Sequence, residues 1–397
     1  MVMYMDQIPL KGRRVLVRVD FNVPLDAGGE ITDDTRIKAA LRTIEYARDA
    51  GAKTIVCSHL GRPKGERMDR YSLKPVARRL GELLHAQVPL APDCVGPEVE
   101  GQVAGMEDGQ VILLENLRFH GGETKNDPNF AGGLARLAEV YVNDAFAVSH
   151  RAHASVVGVA QHCGACAAGF LMKQELSHFE RALEDPTRPL VAILGGAKVS
   201  SKLAAIKNIL SRVDKLIIGG AMANTFLMAE GLEVGASLVE ADLADTARGI
   251  LEQARAGRTR FYLPVDAVVA PELNPDAPTK LVAVQEIPPE WMALDIGPAS
   301  VHLFREVLYD ARTIVWNGPM GAFEVAPFSR GTMAMAHAVA ACHALSIVGG
   351  GDTDAAVHRA GEAANVSYMS TGGGAFLALL EGKELPGIAA LKECAKQ

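Results

Sequence analysis

Two open α/β domains built on parallel sheets and joined by a helix are the fold that the sequence predicts. Three observations predict it. Short β-branched runs, mostly four or five residues and continuously apolar, alternate with stretches rich in Ala, Leu, Arg and Glu. Continuous runs, rather than alternating ones, mark strands buried on both faces of a parallel sheet. The runs fall into two sets, before about residue 165 and after about residue 190, with a helical pattern between them.

In chain order, the first set predicts strands over 15–19, 54–58, 111–114 and 140–142, with helices over 34–49 and 73–84. The segment 171–183, LMKQELSHFERAL, has helical spacing and stops at Asp185-Pro186, so it reads as a connector helix. The second set predicts strands over 191–194, 216–218, 260–263, 313–315 and 346–348, and a helix over 200–209. This βαβα rhythm is that of an open α/β fold. No flexible Gly/Ser linker, low-complexity tract or short-period repeat interrupts it. A stiff connector favours hinged rigid bodies over freely tethered ones.

Composition narrows the function classes. The 397 residues suit two or three domains. Forty basic residues against 47 acidic ones leave a net charge of −7, which argues against a general nucleic-acid binder. With 49% hydrophobic and 22% charged residues the chain is neither disordered, collagenous nor a disulfide scaffold. Its six cysteines are sparse and sit mostly in apolar runs, so they read as thiols of a reducing compartment. Cys163-Gly-Ala-Cys166 has CxxC spacing, but no second CxxC completes a zinc site, and it reads as small residues in a helix or its lead-in. Asp6 stands early and no long apolar core follows, so no signal peptide is expected. The longest charge-free stretch, 154–172, holds Gln161, His162 and three glycines and is too weakly apolar for a bilayer span. A cytoplasmic protein is expected.

The chemistry sits in the loops. Four glycine clusters follow strand candidates in the second half: Gly195-Gly196, Gly219-Gly220, Gly349-Gly350-Gly351 and Gly372-Gly373-Gly374. The last two lead into helices, a geometry that presents bare N–H groups to a phosphate. Neither a GxxxxGK[ST] loop nor a GxGxxG fingerprint is present, which excludes a Walker-type NTPase and weakens a nicotinamide dehydrogenase or a protein kinase. Lys198 and Lys202, four apart in GGAKVSSKL, would share one face of a helix start, and an anion between them would relieve their repulsion. In the first half, Asp20-Phe21-Asn22, His59-Leu60-Gly61-Arg62 and Arg118 follow apolar runs, Arg36 stands at a helix start, and Arg151 lies in HRAH. Residues beyond strand ends converge at the carboxyl edge of such a sheet, and arginine grips phosphate and carboxylate bidentately.

Ten ordered blocks carry a family resemblance along essentially the whole chain: RVDFNVPL (18–25), ITDDTRI (31–37), SHLGRP (58–63), LLENLRFHGGE (113–123), VNDAF…HRAHAS (142–155), LGGAKVSSKL (194–203), IIGGAMANTF (217–226), VWNGPMGAFE (315–324), GGGDT (349–353) and STGGGAF (370–376). The sequence resembles the phosphoglycerate kinases. That resemblance implies two doubly wound parallel-sheet, Rossmann-like domains: 1–168 for the phosphoglycerate, with 380–397 packing back onto it, a connector helix over 169–185, and 186–379 for the Mg-nucleotide. It implies reversible transfer of the acyl phosphoryl group of 1,3-bisphosphoglycerate to ADP, giving 3-phosphoglycerate and ATP.

On the matching positions, Asp20, Phe21, Asn22, Arg36, His59, Leu60, Gly61, Arg62, Arg118 and Arg151 would hold the glycerate. Gly195, Gly196, Ala197, Lys198, Lys202, Gly219, Gly220, Asn317, Gly318, Pro319, Glu324 and Gly350, Gly351, Asp352 and Thr353 would hold the nucleotide. Asp352 would stand near Mg²⁺ and Glu324 on the ribose. Arg36, Lys198, Lys202 and the N–H groups near Gly349 and Gly372 would embrace the transferred group. Such transfer needs positioning, charge neutralisation and exclusion of water more than a covalent helper, and two closing domains would supply them. A monomer free of nucleic acid and membrane is expected. Where NDAFGTAHRAH and GGGMA are usual, this chain has Ala147, Val148 and Ser149, and Ala221; Ser201 replaces a frequent acidic residue and leaves the local field more positive. Two other readings compete: a catalytically silent nucleotide-binding protein of the same fold, against which Arg36, Lys202 and Asp352 are all present, and a dehydrogenase, which lacks its fingerprint.

Overall fold

A computed structural model of the chain describes residues 2–396. They form two compact units, the first running to Leu176 and resuming at Glu384, the second being Ser177–Lys383.

The first unit carries a parallel sheet of β1 (Arg14–Arg18), β2 (Lys53–Cys57), β3 (Val111–Leu113), β4 (Val140–Asn143) and β5 (Cys166–Ala168), in the order β3-β2-β1-β4-β5. In register, Val17 of β1 lies between Val56 and Val142. These runs are continuously apolar because both faces are covered. The covering helices are α1 (Thr35–Asp49), α2 (Lys74–Leu84), α3 (Pro97–Ala104), α4 (Gly121–Lys125), α5 (Pro128–Arg136) and the start of α6 (Phe170–Phe179). Val76, Ala77, Leu80 and Leu84 make the buried stripe of α2 and join Ile37 and Ile44 of α1 in one core with the strands. Helix α6 continues as a π-helical turn over Glu180–Glu184, and the division of the units falls inside this predicted connector.

The second unit has a six-stranded parallel sheet and a small antiparallel one. Its strands are β6 (Leu190–Leu194), β7 (Lys215–Ile218), β8 (Arg260–Tyr262), β9 (Asp266–Ala270), β10 (Lys280–Ala283), β11 (Met292–Ile296), β12 (Thr313–Asn317), β13 (Leu345–Gly349) and β14 (Tyr368–Ser370). The orders are β14-β13-β12-β6-β7-β8 and β10-β9-β11. Around them lie α7 (Leu203–Leu210), α8 (Met222–Ala229), α9 (Ala244–Ala256), α10 (Pro298–Leu308), α11 (Arg330–Ala340), α12 (Gly351–Arg359) and α13 (Gly373–Leu380). The last helix, α14 (Pro386–Cys394), belongs to the first unit, where the Gly387 N–H donates to the Ser149 carbonyl at 2.9 Å.

Every predicted strand is present within two residues. The strand candidate ahead of Gly372 is β14. The sequence reading missed β5, which is three residues long, and the antiparallel trio, whose outer strand β10 is largely exposed and lacks a continuous apolar run. Two expectations are corrected. The cysteines are not all thiols: Cys166 is bonded to Cys394, 228 residues away, while Cys57, Cys94, Cys163 and Cys342 are free. Cys166 opens a strand rather than a helix, and the return of α14 brings its partner, a long-range contact that no local spacing reveals. Helix α7 starts at Leu203, not at 200, so Lys198 and Lys202 do not share a helical face: Lys202 is the N-cap, buried, and Lys198 lies exposed in the preceding turn. Among the described residues no helix is long and apolar enough to cross a membrane.

Candidate functional site

In each parallel sheet the strand order reverses once, and ligands of open α/β sheets bind beyond the carboxyl ends of the strands at that reversal. In the first unit it falls between β1 and β4, and in the second between β6 and β12.

At the first reversal a buried polar network underlies a cluster of arginines. Arg18, fully buried at the end of β1, donates from Nε to Ser155 Oγ at 2.8 Å, and its Nη2 lies 3.3 Å from His59 Nδ1. Ser155 Oγ donates on to the buried Glu123 at 2.7 Å. Asp20 pairs with Arg36, the second residue of α1, and lies 3.5 Å from His59. Burial, then the charges of Arg18, Arg118 and Arg36, hold the His59 imidazole well below its usual pKa. Burial lowers His153 to about 4 and Arg118 to about 10, with Arg18 next in the first case and Arg151 in the second. Arg118 Nη1 donates to the Gly61 carbonyl at 2.6 Å, yet its buried Nε and His153 Nδ1 have no hydrogen-bond partner. Four arginines around neutral histidines, with orphaned buried nitrogens, make a place for a phosphate or carboxylate.

The nominated neighbours divide. Asn22 Oδ1 accepts from the Gly61 N–H at 2.8 Å and fixes the His59 loop. Phe21 and Leu60 are core side chains, leaving only main chain to offer. Arg62 is exposed, and Arg151 rests on its neighbour, with Nε 3.2 Å from His150 Nε2. Sequence reasoning placed His153 in the HRAH segment without giving it a role, and did not nominate Arg18, Glu123 or Ser155. Arg18 carried a signal: a charge inside the otherwise apolar run RVLVRV.

At the second reversal the loops after β6, β7 and β12 are pressed together. Gly220 has φ +68°, and a Cβ there would lie 2.5 Å from the Gly196 nitrogen and 3.0 Å from the Pro319 carbonyl oxygen. Lys202 Nζ donates to the Asn317 carbonyl at 2.8 Å. Burial lowers this ammonium to about 8, opposed by the charge of Asp352. Asn317 Nδ2 donates to the Gly349 carbonyl at 2.7 Å, and the Gly318 N–H to Thr353 Oγ1 at 2.7 Å, so β12 is tied to β13 and α12. Helices α12 and α13 start from Gly350 and Gly372 without a side-chain cap. Their starts abut: a Cβ on Gly373 would lie 3.0 Å from Gly350 Cα. Two uncapped helix N-termini beside a buried ammonium have the chemistry to receive a phosphate.

Next to it is a cavity of about 490 Å³ lined by Gly196, Ala197, Gly220, Pro319, Glu324 and Asp352 on the polar side. Leu227, Leu238, Val284 and Ile287 form its apolar side. A flat apolar ring with a phosphate tail fits this division. The apolar lining and Asp295, whose carboxyl burial raises to about 7, escaped sequence reasoning because nothing local separates them from core residues. Gly195 and Gly219 are close-packed against Met320 and belong to the walls rather than the mouth.

A family model described as phosphoglycerate kinase matches residues 5–383. The chain belongs to the phosphoglycerate kinase family. It is 60% identical over 396 residues to a phosphoglycerate kinase of Geobacter metallireducens, all of both chains being covered. It is also 60% identical over 386 residues to one of Desulfotalea psychrophila, covering 97% of this chain and 98% of that one. The solved phosphoglycerate kinase of Coxiella burnetii superposes with a TM-score of 0.91 at 43% identity, and that of Pyrococcus horikoshii with 0.85 at 32%, each covering 99% of both chains. As a phosphoglycerate kinase the chain is a glycolytic transferase that uses nucleotide, and the silent-protein and dehydrogenase readings have no support. The departures from the usual phosphoglycerate kinase blocks are conformationally neutral. Ala147 and Val148 lie in a 3₁₀ turn, and Ser149 and Ala221 have φ of −68° and −62°, so none needs a glycine.

Proposed function

We propose that the arginine cluster of the first unit holds the glycerate phosphate and carboxyl end, and that the glycine loops and Lys202 of the second hold the Mg-nucleotide. Arg18, Glu123 and Ser155 serve as the buried base that keeps His59, Arg118 and the Arg151 loop in place. Lys202 neutralises the charge on the equatorial oxygens of the phosphoryl group in transfer, together with the N–H groups at the starts of α12 and α13, and Arg36 serves on the glycerate side. No general base is needed, since the acceptor is already a phosphate oxygen. Asp352, an exposed hard-oxygen donor in the first turn of α12, suits the divalent cation that accompanies the nucleotide. Mg²⁺ bound in that way supplies charge neutralisation on the nucleotide phosphates. Glu324, on the polar side of the cavity, suits the ribose hydroxyls. The enzyme acts as a cytoplasmic monomer on these small molecules; a net charge of −7 supports the part of this reading that leaves out nucleic acid.

The observation that carries the assignment is the buried Lys202 ammonium, which donates to a neutral carbonyl, that of Asn317. A cation held there at the cost of desolvation calls for an anion. Steady-state assay of Lys202→Ala with 3-phosphoglycerate and Mg-ATP tests it. Turnover is expected to fall about 10²–10³-fold with phosphoglycerate affinity little changed. Unchanged turnover would remove Lys202 from the site.

A further inference from the structure

Outside the substrate sites, one cluster of side chains in the first unit has the chemistry of a metal centre. Asp93 and Cys94 lie in the bend that leads into α3, and His120 is the N-cap of α4. One ligand atom from each, the Asp93 carboxylate, the Cys94 thiol and the His120 imidazole, lies within 4.8 Å of the others. We propose that Asp93, Cys94 and His120 form a second metal site, for a borderline transition cation such as Zn²⁺, Co²⁺ or Fe²⁺, separate from the cation that travels with the nucleotide.

The geometry is close to what such an ion requires. His120 Nε2 lies 2.5 Å from Asp93 Oδ1, and Cys94 Sγ donates to the Glu115 carbonyl at 2.8 Å. Tetrahedral coordination with metal–nitrogen and metal–oxygen bonds near 2.0–2.1 Å and a metal–sulfur bond near 2.3 Å sets donor atoms about 3.3–3.6 Å apart. The Asp–His hydrogen bond must therefore open by about 1 Å and the sulfur approach by about as much. The parts that must move are free to do so, since the side chains of Asp93 and His120 are 43% and 30% exposed. The Cys94 thiol is fully buried and is the fixed donor. The His120 ring can shift along the face of Phe130, on which it stacks with centroids 4.9 Å apart, and Asp93 Oδ1 would loosen the 2.6 Å bond it accepts from the Cys94 N–H. The nearby Arg67 is engaged elsewhere: Nη1 donates to the Pro92 carbonyl at 2.8 Å, and Nη2 lies 3.9 Å from Glu115. Three protein donors leave a fourth position on the solvent side for water.

The donor set selects the ion. A thiolate and an imidazole favour Zn²⁺, Co²⁺ or Fe²⁺ over Mg²⁺, which takes all-oxygen shells. On binding, the Cys94 thiol gives up its proton to solvent and exchanges its bond to the Glu115 carbonyl for the metal. His120 stands two residues beyond Arg118, so the ion would clamp the 92–96 bend to the segment that carries this arginine. The role is structural, a staple beneath the phosphoglycerate side.

Cobalt titration of the metal-stripped full-length enzyme tests this. One equivalent of Co²⁺ should produce a thiolate-to-metal charge-transfer band that Zn²⁺ abolishes by displacement and millimolar Mg²⁺ does not. Cys94→Ser should lose the band, Cys342→Ser should keep it, and Asp93→Asn and His120→Gln should each weaken Co²⁺ binding at least tenfold. Nucleotide affinity and the far-ultraviolet circular dichroism check that each variant is folded. Should Cys94→Ser fail to fold, the Asp93 and His120 variants decide the matter. No band in the wild type, a band that survives in folded Cys94→Ser, unaltered Co²⁺ affinity in both other variants, or displacement by Mg²⁺ would each overturn the proposal and leave a hydrogen-bonded cluster.

Discussion

On the proposed assignment, the two units meet the same problem, holding a polyanion, with opposite materials. The first uses permanent side-chain charge: guanidinium groups stacked around histidines that burial and those same arginines keep neutral. The second uses main chain: glycine loops, two uncapped helix starts and one lysine whose ammonium burial lowers to about 8. Arginine stays charged in a desolvated pocket where lysine titrates. The first grip should therefore be indifferent to pH over the neutral range but sensitive to loss of any one side chain. The second should tolerate side-chain changes at most loop positions but not added atoms on its glycines.

The largest expected contrast is in stability. The Cys166–Cys394 bond ties α14 to β5 within the first unit, while the second unit has no disulfide among its described residues. Cys394→Ser should cost about 2–4 kcal/mol, read as a fall in the midpoint of chemical unfolding. Phosphoglycerate binding should suffer first, because α14 also holds the Ser149 carbonyl beside the Arg151 loop. Under denaturing, non-reducing conditions, four thiols rather than six should react. A count of six would restore the expectation that all are thiols.

Next in size is the side-chain contrast. Arg118→Ala removes a charged donor that bonds the Gly61 carbonyl. It should weaken phosphoglycerate binding by about 1.5–3 kcal/mol, roughly ten- to a hundredfold, and leave nucleotide affinity unmoved. A parallel loss of both affinities would mean that the residue acts on the fold and not on a ligand. Somewhat smaller is the main-chain counterpart. Gly220→Ala forces a methyl group against Gly196 and Pro319 at a positive φ. It should reduce nucleotide affinity by about 1–2 kcal/mol, seen by titration calorimetry, with phosphoglycerate binding intact.

Legibility in the sequence followed the same divide. Elements whose signal is local were readable: the continuous runs of β1, β6 and β12, the start of α1 beside Arg36, and the glycine starts of α12 and α13. What failed depended on contacts far along the chain. Cys166 met Cys394 only through the return of α14, and Lys202 proved buried only once Asn317 from β12 closed over it. The network of Arg18, Ser155 and Glu123 draws on three distant segments. The apolar side of the second unit's cavity, Leu227, Leu238 and Ile287, carries no motif, because a leucine lining a ligand pocket has the same spacing as one lining a core.

The smallest effect probes the contrast most directly, because it needs no change of shape. Folded Lys202 titrates at about 8 against an ordinary lysine value of 10.5. Nucleotide affinity should therefore fall as pH rises through about 8, up to tenfold per pH unit once the amine is mostly neutral. Phosphoglycerate affinity should stay level from pH 7 to 9, since Arg118 holds its proton to about 10 and His153 is already neutral. The stability of the ligand-free enzyme should move the other way. Between about 8 and 10.5 the unfolded chain binds the Lys202 proton and the folded one does not, so this group adds stability as pH rises through that window. His153 acts at the opposite end. Its folded value of about 4 lies below the unfolded 6.5, so the stability it contributes is complete above 6.5 and is lost as pH falls toward 4. Lys202→Arg should flatten the alkaline fall in nucleotide affinity, because a guanidinium keeps its charge there. If the wild-type nucleotide profile is already flat to pH 9, the lysine is not desolvated. The difference between the two grips would then rest on the glycine loops alone.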